Sequence, residues 1–160
     1  MRFLLVDRVT RIEPGNFIEG VKCWTLTDEI FEDHFPGFPV VPGVLLIESM
    51  AQLSGFLIQE TFEAENPEMT DKLFGILSLV HKAKFHKFVM PGDKCEMKAS
   101  LNVIEEMRAN TSVQMYVDGE MMAQADLTFM ITSIKNLSEH FIARHQQYRQ
   151  ITKYKLSSKK

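Results

Sequence analysis

The chain has 160 residues, 45% of them hydrophobic and 24% charged, with a formal net charge of −3. That composition is ordinary for a soluble globular protein of one domain, long enough to bury a sizeable core. The acidic excess argues against a nucleic-acid binder, and no apolar run approaches the ~20 residues of a membrane span.

In chain order, the opening "MRFLLVDRV" has a short apolar run followed by charges, too short for a signal peptide. Residues 2–13 read as a strand ending at the turn "EPGN", and 17–26, "FIEGVKCWTL", as its antiparallel neighbour. Thr27 and Asp28 are placed to cap a short helical turn through Phe31. Residues 43–62 are apolar on almost every side, which predicts a buried central helix rather than a surface one. Residues 63–72, "EAENPEMTDK", read as a loop.

Four strand-like stretches follow, at 73–90, 94–108, 110–118 and 120–133, and Asp118-Gly119 is a two-residue hairpin signal. "TSVQMYV" alternates as a half-buried strand should. Two strands, a buried helix and then an antiparallel run predict an α+β fold in which the sheet curls around the helix. Residues 137–155 read as an amphipathic helix, with Ser138 as its cap and a stripe of Phe141, Ile142, His145, Tyr148 and Ile151. Cys23 and Cys95 show no motif spacing, so both are expected as buried free thiols, in a reducing, cytoplasmic compartment.

The chemistry concentrates in "DHFPGFPVVPGVLLIESMAQ", residues 33–52. Pro36, Pro39 and Pro42 restrict the backbone, and Pro42 suits the start of a helix, where its missing N–H costs nothing. Gly43 follows with no side chain to shield its amide, a ready site for an oxyanion at a helix N-terminus. Glu48 lies about one and a half turns further on, with Gln52 the polar exception among apolar neighbours. A carboxyl placed there is desolvated, which favours its protonated, acid form. His34 sits at the edge of the rigid loop as an imidazole able to exchange protons near neutral pH. A base, an acid and an oxyanion donor are the parts needed for β-elimination next to a carbonyl. Composition alone leaves His34 and Glu48 open to a structural reading as well.

"HFPGFPVVPGVLLIESMAQ" closely resembles the signature of the bacterial 3-hydroxyacyl-acyl-carrier-protein dehydratases. Their motif runs His-Phe-Pro-Gly-x-Pro-x-x-Pro-Gly-Val, then Glu, then Ala-Gln, and every fixed position is present. The likeness continues in "FLLVDRVTRIEPG", "KAKFHKFVMPGD" and "VDGEMMAQADLTFMI", roughly residues 3–133. The resemblance implies the hot-dog fold at 1–134, with 135–160 a C-terminal extension and tail of the same domain. It implies His34 and Glu48 as the catalytic pair, from opposite subunits of a homodimer, which in the family is often assembled into a trimer of dimers. It implies the Gly43 amide as the thioester-polarising group, and Pro42 and Gln52 as supporting residues. The substrate would be a 3-hydroxyacyl chain on the phosphopantetheine of acyl carrier protein, the product a trans-2-enoyl thioester, with no metal and no dissociable cofactor.

Glu at position 48 is similar to the dehydrating branch of the family; the isomerising branch typically carries Asp. Phe88 stands where a proline is usual, and Met97 falls where some relatives carry a tunnel-gating Tyr, so both are candidate tunnel or gate residues. Lys82, Lys84 and Lys87 are a candidate docking edge for an acidic carrier, against the reading of a solvated strand face. Two rivals remain: a thioesterase on the same fold, and a non-catalytic acyl-binding module.

Overall fold

The structure, a computed structural model, describes residues 3–68, 73–133, 135 and 138–157. The strands are β1 (Arg8–Glu13), β2 (Phe17–Cys23), β3 (Leu73–Phe85), β4 (Lys94–Ile104), β5 (Arg108–Val117) and β6 (Glu120–Ser133). The helices are α1 (Ile30–Asp33), α2 (Gly43–Glu65) and α3 (Glu139–Ser157). All neighbouring strands pair antiparallel in the order β1-β2-β4-β5-β6-β3, so β1 and β3 are the edges.

Local chemistry accounts for most of this. β5 alternates between buried and more exposed positions, as its sequence does. Asp118 and Gly119 both take positive φ, 49° and 81°, the backbone that a tight hairpin between β5 and β6 requires. α2 buries Leu46, Met50, Leu53, Phe56, Leu57 and Ile58 in the core. The fold is the α+β hot-dog arrangement expected, an antiparallel sheet around a long central helix, with a further C-terminal helix packed on β1.

Several boundaries differ from the sequence reading. β1 begins at Arg8, later than the sequence reading has it: the Asp7 N–H still donates to the Val21 carbonyl of β2 (2.8 Å), but before it Leu5 and Val6 bond to side chains. The Leu5 N–H donates to Gln52 Oε1 (2.8 Å), and Val6 exchanges two bonds with the Tyr148 hydroxyl. α1 starts at Ile30, and the Asp28 carboxylate accepts from the Thr25 N–H instead of capping a forward turn. α2 runs on to Glu65, so part of the predicted loop is helix, and residues 69–72 of that loop lie outside the described residues. β3 stops at Phe85, after which the His86 N–H donates to the Met122 carbonyl (2.7 Å). β4 ends at Ile104, four residues before its expected limit, in the turn that Glu105 and Arg108 close.

Both cysteines are free, but only Cys95 is buried; Cys23 is exposed at the end of β2, which corrects the expectation for it. Burial pushes the Cys95 thiol up to about 12, so it is inert as a nucleophile. Ser138 does cap α3, its hydroxyl accepting from the Phe141 N–H (3.2 Å). The helix face that packs inward passes through Tyr148 and Thr152; Ile151, expected in that stripe, is 57% exposed.

Candidate active site

His34 follows α1 directly, and its loop is stapled from both ends. The His34 carbonyl accepts from the Val40 N–H (3.0 Å), and the Val41 N–H donates to the Val89 carbonyl (2.8 Å). Phe35 and Phe38 exchange backbone bonds between them, and the Phe35 ring stacks on the imidazole at 4.1 Å. The decisive contact is His34 Nδ1 to the Val40 carbonyl, at 2.9 Å. A carbonyl only accepts, so Nδ1 carries the proton and Nε2 of the neutral ring keeps its lone pair. The half-buried ring therefore keeps Nε2 available as a proton acceptor in that tautomer.

Glu48 sits in the second turn of α2 and is half buried. Its Oε1 accepts from Gln52 Nε2 at 3.0 Å. Gln52 is itself oriented by the first described residues: its Oε1 accepts from the Leu5 N–H, and its Nε2 donates to the Phe3 carbonyl at 3.2 Å. The amide can turn only its N–H side to Glu48 in that arrangement. The second carboxyl oxygen has no partner among the described residues.

Pro42 is the N-cap of α2, and the Leu45 and Leu46 N–H groups both donate to its carbonyl. Gly43 is the first helical residue, and its amide has no acceptor among the described residues. That is an orphan donor at the positive end of a long helix. An added Cβ at Gly43 would lie 2.8 Å from Phe85 Cζ, so a larger residue here would push the half-exposed Phe85 ring aside.

A cavity of about 390 Å³ opens beside Glu48. α2 contributes Glu48, Gln52 and Phe56, β3 contributes Phe74 to Leu77, and α3 contributes Phe141, His145 and Tyr148. The lining is mainly apolar with a few polar groups, the form of a small-molecule site. His34 is not among its lining residues, so one chain does not bring the predicted pair to one cavity. Met97, 2% exposed, is buried in the core beneath the sheet and does not line the cavity either. Phe88 is exposed, its ring edge-on to Phe38 of the His34 loop at 5.7 Å.

Lys82 and Lys84 line a polar recess on the sheet with Ser112, Gln114, Gln124 and Asp126. Lys87 stands apart in an exposed ion pair with Glu120 at 2.6 Å. Phe141, His145 and Tyr148 form a packing stripe by their helical spacing, and the structure shows that they also wall this cavity, which spacing alone does not reveal.

Residues 1–126 match the model of a FabA-like domain. A 3-hydroxyacyl-[acyl-carrier-protein] dehydratase FabZ of Sulfurovum sp. is 42% identical over 132 residues, covering 81% of this chain and 87% of that one. The protein of the same name from Rickettsia rickettsii is 40% identical over 133 residues, 81% of this chain and 86% of that one. Among solved structures, the dehydratase heterocomplex ApeI:P of Xenorhabdus doucetiae superposes with a TM-score of 0.64 at 17% identity, covering 80% of this chain and 83% of that one. A hypothetical thioesterase from Streptococcus pneumoniae, solved with coenzyme A, gives 0.61 at 12% identity over 79% and 85%. At those identities the structural likeness concerns the fold alone.

Proposed function

The chain belongs to the family of bacterial 3-hydroxyacyl-acyl-carrier-protein dehydratases, and from that premise we propose that His34, Glu48 and the Gly43 amide together turn a 3-hydroxyacyl thioester into its trans-2-enoyl thioester and water. The observation that carries the assignment is the His34 Nδ1 bond to the Val40 carbonyl, which leaves Nε2 as the base. Nε2 takes a proton from C2, and the electron pair moves into the thioester carbonyl. The Gly43 N–H stabilises the oxyanion that develops there. As the carbonyl re-forms, the C2–C3 double bond appears and the C3–oxygen bond breaks. Neutral Glu48 protonates the departing hydroxyl, which leaves as water. Gln52 occupies Oε1 as a donor, so the second oxygen is the one free to deliver the proton. The turnover leaves His34 protonated and Glu48 ionised; release of the proton from Nε2 and uptake of one by Glu48, through solvent, restores both, and the balance needs no metal or cofactor.

The pair works across two protomers in this reading. Support comes from β3, an edge strand whose outer side pairs with no strand of the described residues. It exposes Ile76, Leu79, Val80 and Phe85, a long apolar edge that a second copy can cover. The carrier would dock by charge at Lys82 and Lys84; Lys87, already paired with Glu120, adds less. Residues 135–160 count as part of the same domain, supported by the packing of α3 on β1 and α2. No helix of the described residues is long and apolar enough to cross a membrane, and a cytoplasmic setting is supported by the two free cysteines.

The test is turnover on carrier-bound 3-hydroxyacyl chains with the products identified. His34→Ala and Glu48→Gln should each cut kcat by ~10² to 10⁴. Near-normal rates in both variants would remove the assignment, and release of free acid would point to a thioesterase instead.

A further inference from the structure

We propose that α3 is the end wall of the acyl cavity beside Glu48 and sets the length of acyl chain that the enzyme accepts. The inference rests on the dehydratase reading and adds a specificity element to it. α3 begins at Glu139, beyond the residues 1–126 that match the family. It is nevertheless built into the site: Phe141, His145 and Tyr148 line the same cavity as Glu48 and Gln52.

Three features make this a fixed wall rather than a loose tail. The Tyr148 hydroxyl donates to the Val6 carbonyl (2.6 Å) and accepts from the Val6 N–H (2.8 Å), pinning the helix to the segment that orients Gln52. Arg149 bonds both Glu60 and Glu63, and Lys153 pairs with Glu60 at 2.6 Å, tying α3 along the far half of α2. The rings of Phe141 and His145 stand edge-on to Phe74, at 5.6 and 4.8 Å, closing the gap between α3 and the start of β3.

The chemistry of the wall suits an alkyl terminus. Phe141 and Tyr148 are aromatic, and His145 donates from Nε2 to Gln59 Oε1 (2.9 Å). Burial, reinforced by the Arg149 guanidinium, lowers the His145 pKa to about 4, so the imidazole is neutral at neutral pH. An alkyl chain therefore meets no charge on α3 among these lining residues, and its length is limited by how far the rings stand from Glu48.

The test compares wild type, Phe141→Ala and Phe141→Trp on 3-hydroxyacyl-carrier thioesters from 3-hydroxybutyryl to 3-hydroxypalmitoyl. A methylene that fits or fails to fit an apolar pocket changes kcat/KM by about tenfold or more. Phe141→Ala should raise the long-to-short ratio of kcat/KM by at least that factor, and Phe141→Trp should lower it. Ile151→Ala, on the same helix but facing away, should leave the ratio unchanged. Calorimetric binding of saturated acyl-pantetheines of the same lengths gives a readout without turnover, and circular dichroism checks that each variant is folded. Coincident length profiles for wild type and both Phe141 variants, in turnover and binding alike, overturn the proposal. Absent turnover in wild type, with acyl-pantetheine binding still shifted at Phe141, would sink the dehydratase reading and leave the wall standing.

Discussion

Gln52 shows how a single side chain ties the site to the scaffold. Its oxygen satisfies the Leu5 N–H, and its nitrogen bridges the Phe3 carbonyl and Glu48. Leucine has nearly the same volume but none of these groups. Gln52→Leu should cost ~1–3 kcal/mol of stability, because the Leu5 N–H loses its acceptor. It should also lower kcat by about tenfold to a hundredfold, since Glu48 loses the contact that orients it. Chemical denaturation and steady-state kinetics on one preparation measure both effects, and an unchanged kcat would show that Gln52 only holds the N-terminal segment. The motif made Gln52 visible as a polar exception on an apolar helix. Its partners at Phe3 and Leu5 were not visible, because that segment read as an ordinary strand.

At the scale of elements, α3 carries a pH dependence whose sign follows from His145. In the packed helix the imidazole stays unprotonated until the pH falls to about 4, owing first to burial and then to Arg149, with Glu63 opposing. In a detached helix it takes up a proton near 6.5. The detached state therefore binds more protons between those values, so packing of α3 is at full strength above 6.5 and weakens as the pH falls toward 4. Amide hydrogen-exchange protection along α3, compared at about pH 7.5 and about pH 5, should fall more than that of α2. In His145→Gln the extra loss should vanish; its persistence would remove His145 as the cause. The helix itself was readable from its cap and its periodicity. Which face turned inward was not, because Ile151 and Thr152 compete for neighbouring positions and the buried one is the hydroxyl that bonds back to its own helix.

For the whole molecule, the long apolar edge of β3 is the surface on which the proposed dimer would rest. Leu79 is half exposed and lies on that edge, so in the proposed dimer Leu79→Lys would remove apolar contact between copies without disturbing the chain's own core. Sedimentation should give the mass of two chains for wild type, or six for a trimer of dimers, and of one chain for the variant. Activity should disappear with the assembly while the circular dichroism spectrum is retained. A monomeric variant with full turnover would refute a site shared between subunits.

Local sequence encodes the proline-braced loop, the buried helix and the hairpin at Asp118-Gly119, and it names His34 and Glu48 as the candidates for the proposed acid–base pair. Those features depend on backbone restriction, hydrophobic period and side-chain chemistry, which neighbouring residues encode. Tertiary structure alone decided that His34 Nδ1 is spent on Val40, that Gln52 reaches Leu5 across 47 residues, and that Tyr148 reaches Val6 across 142. It alone placed α3 against the cavity of Glu48. Such contacts depend on how whole elements stack, and a hydrogen bond between distant segments is chosen by that approach and not by any local preference of the residues that make it.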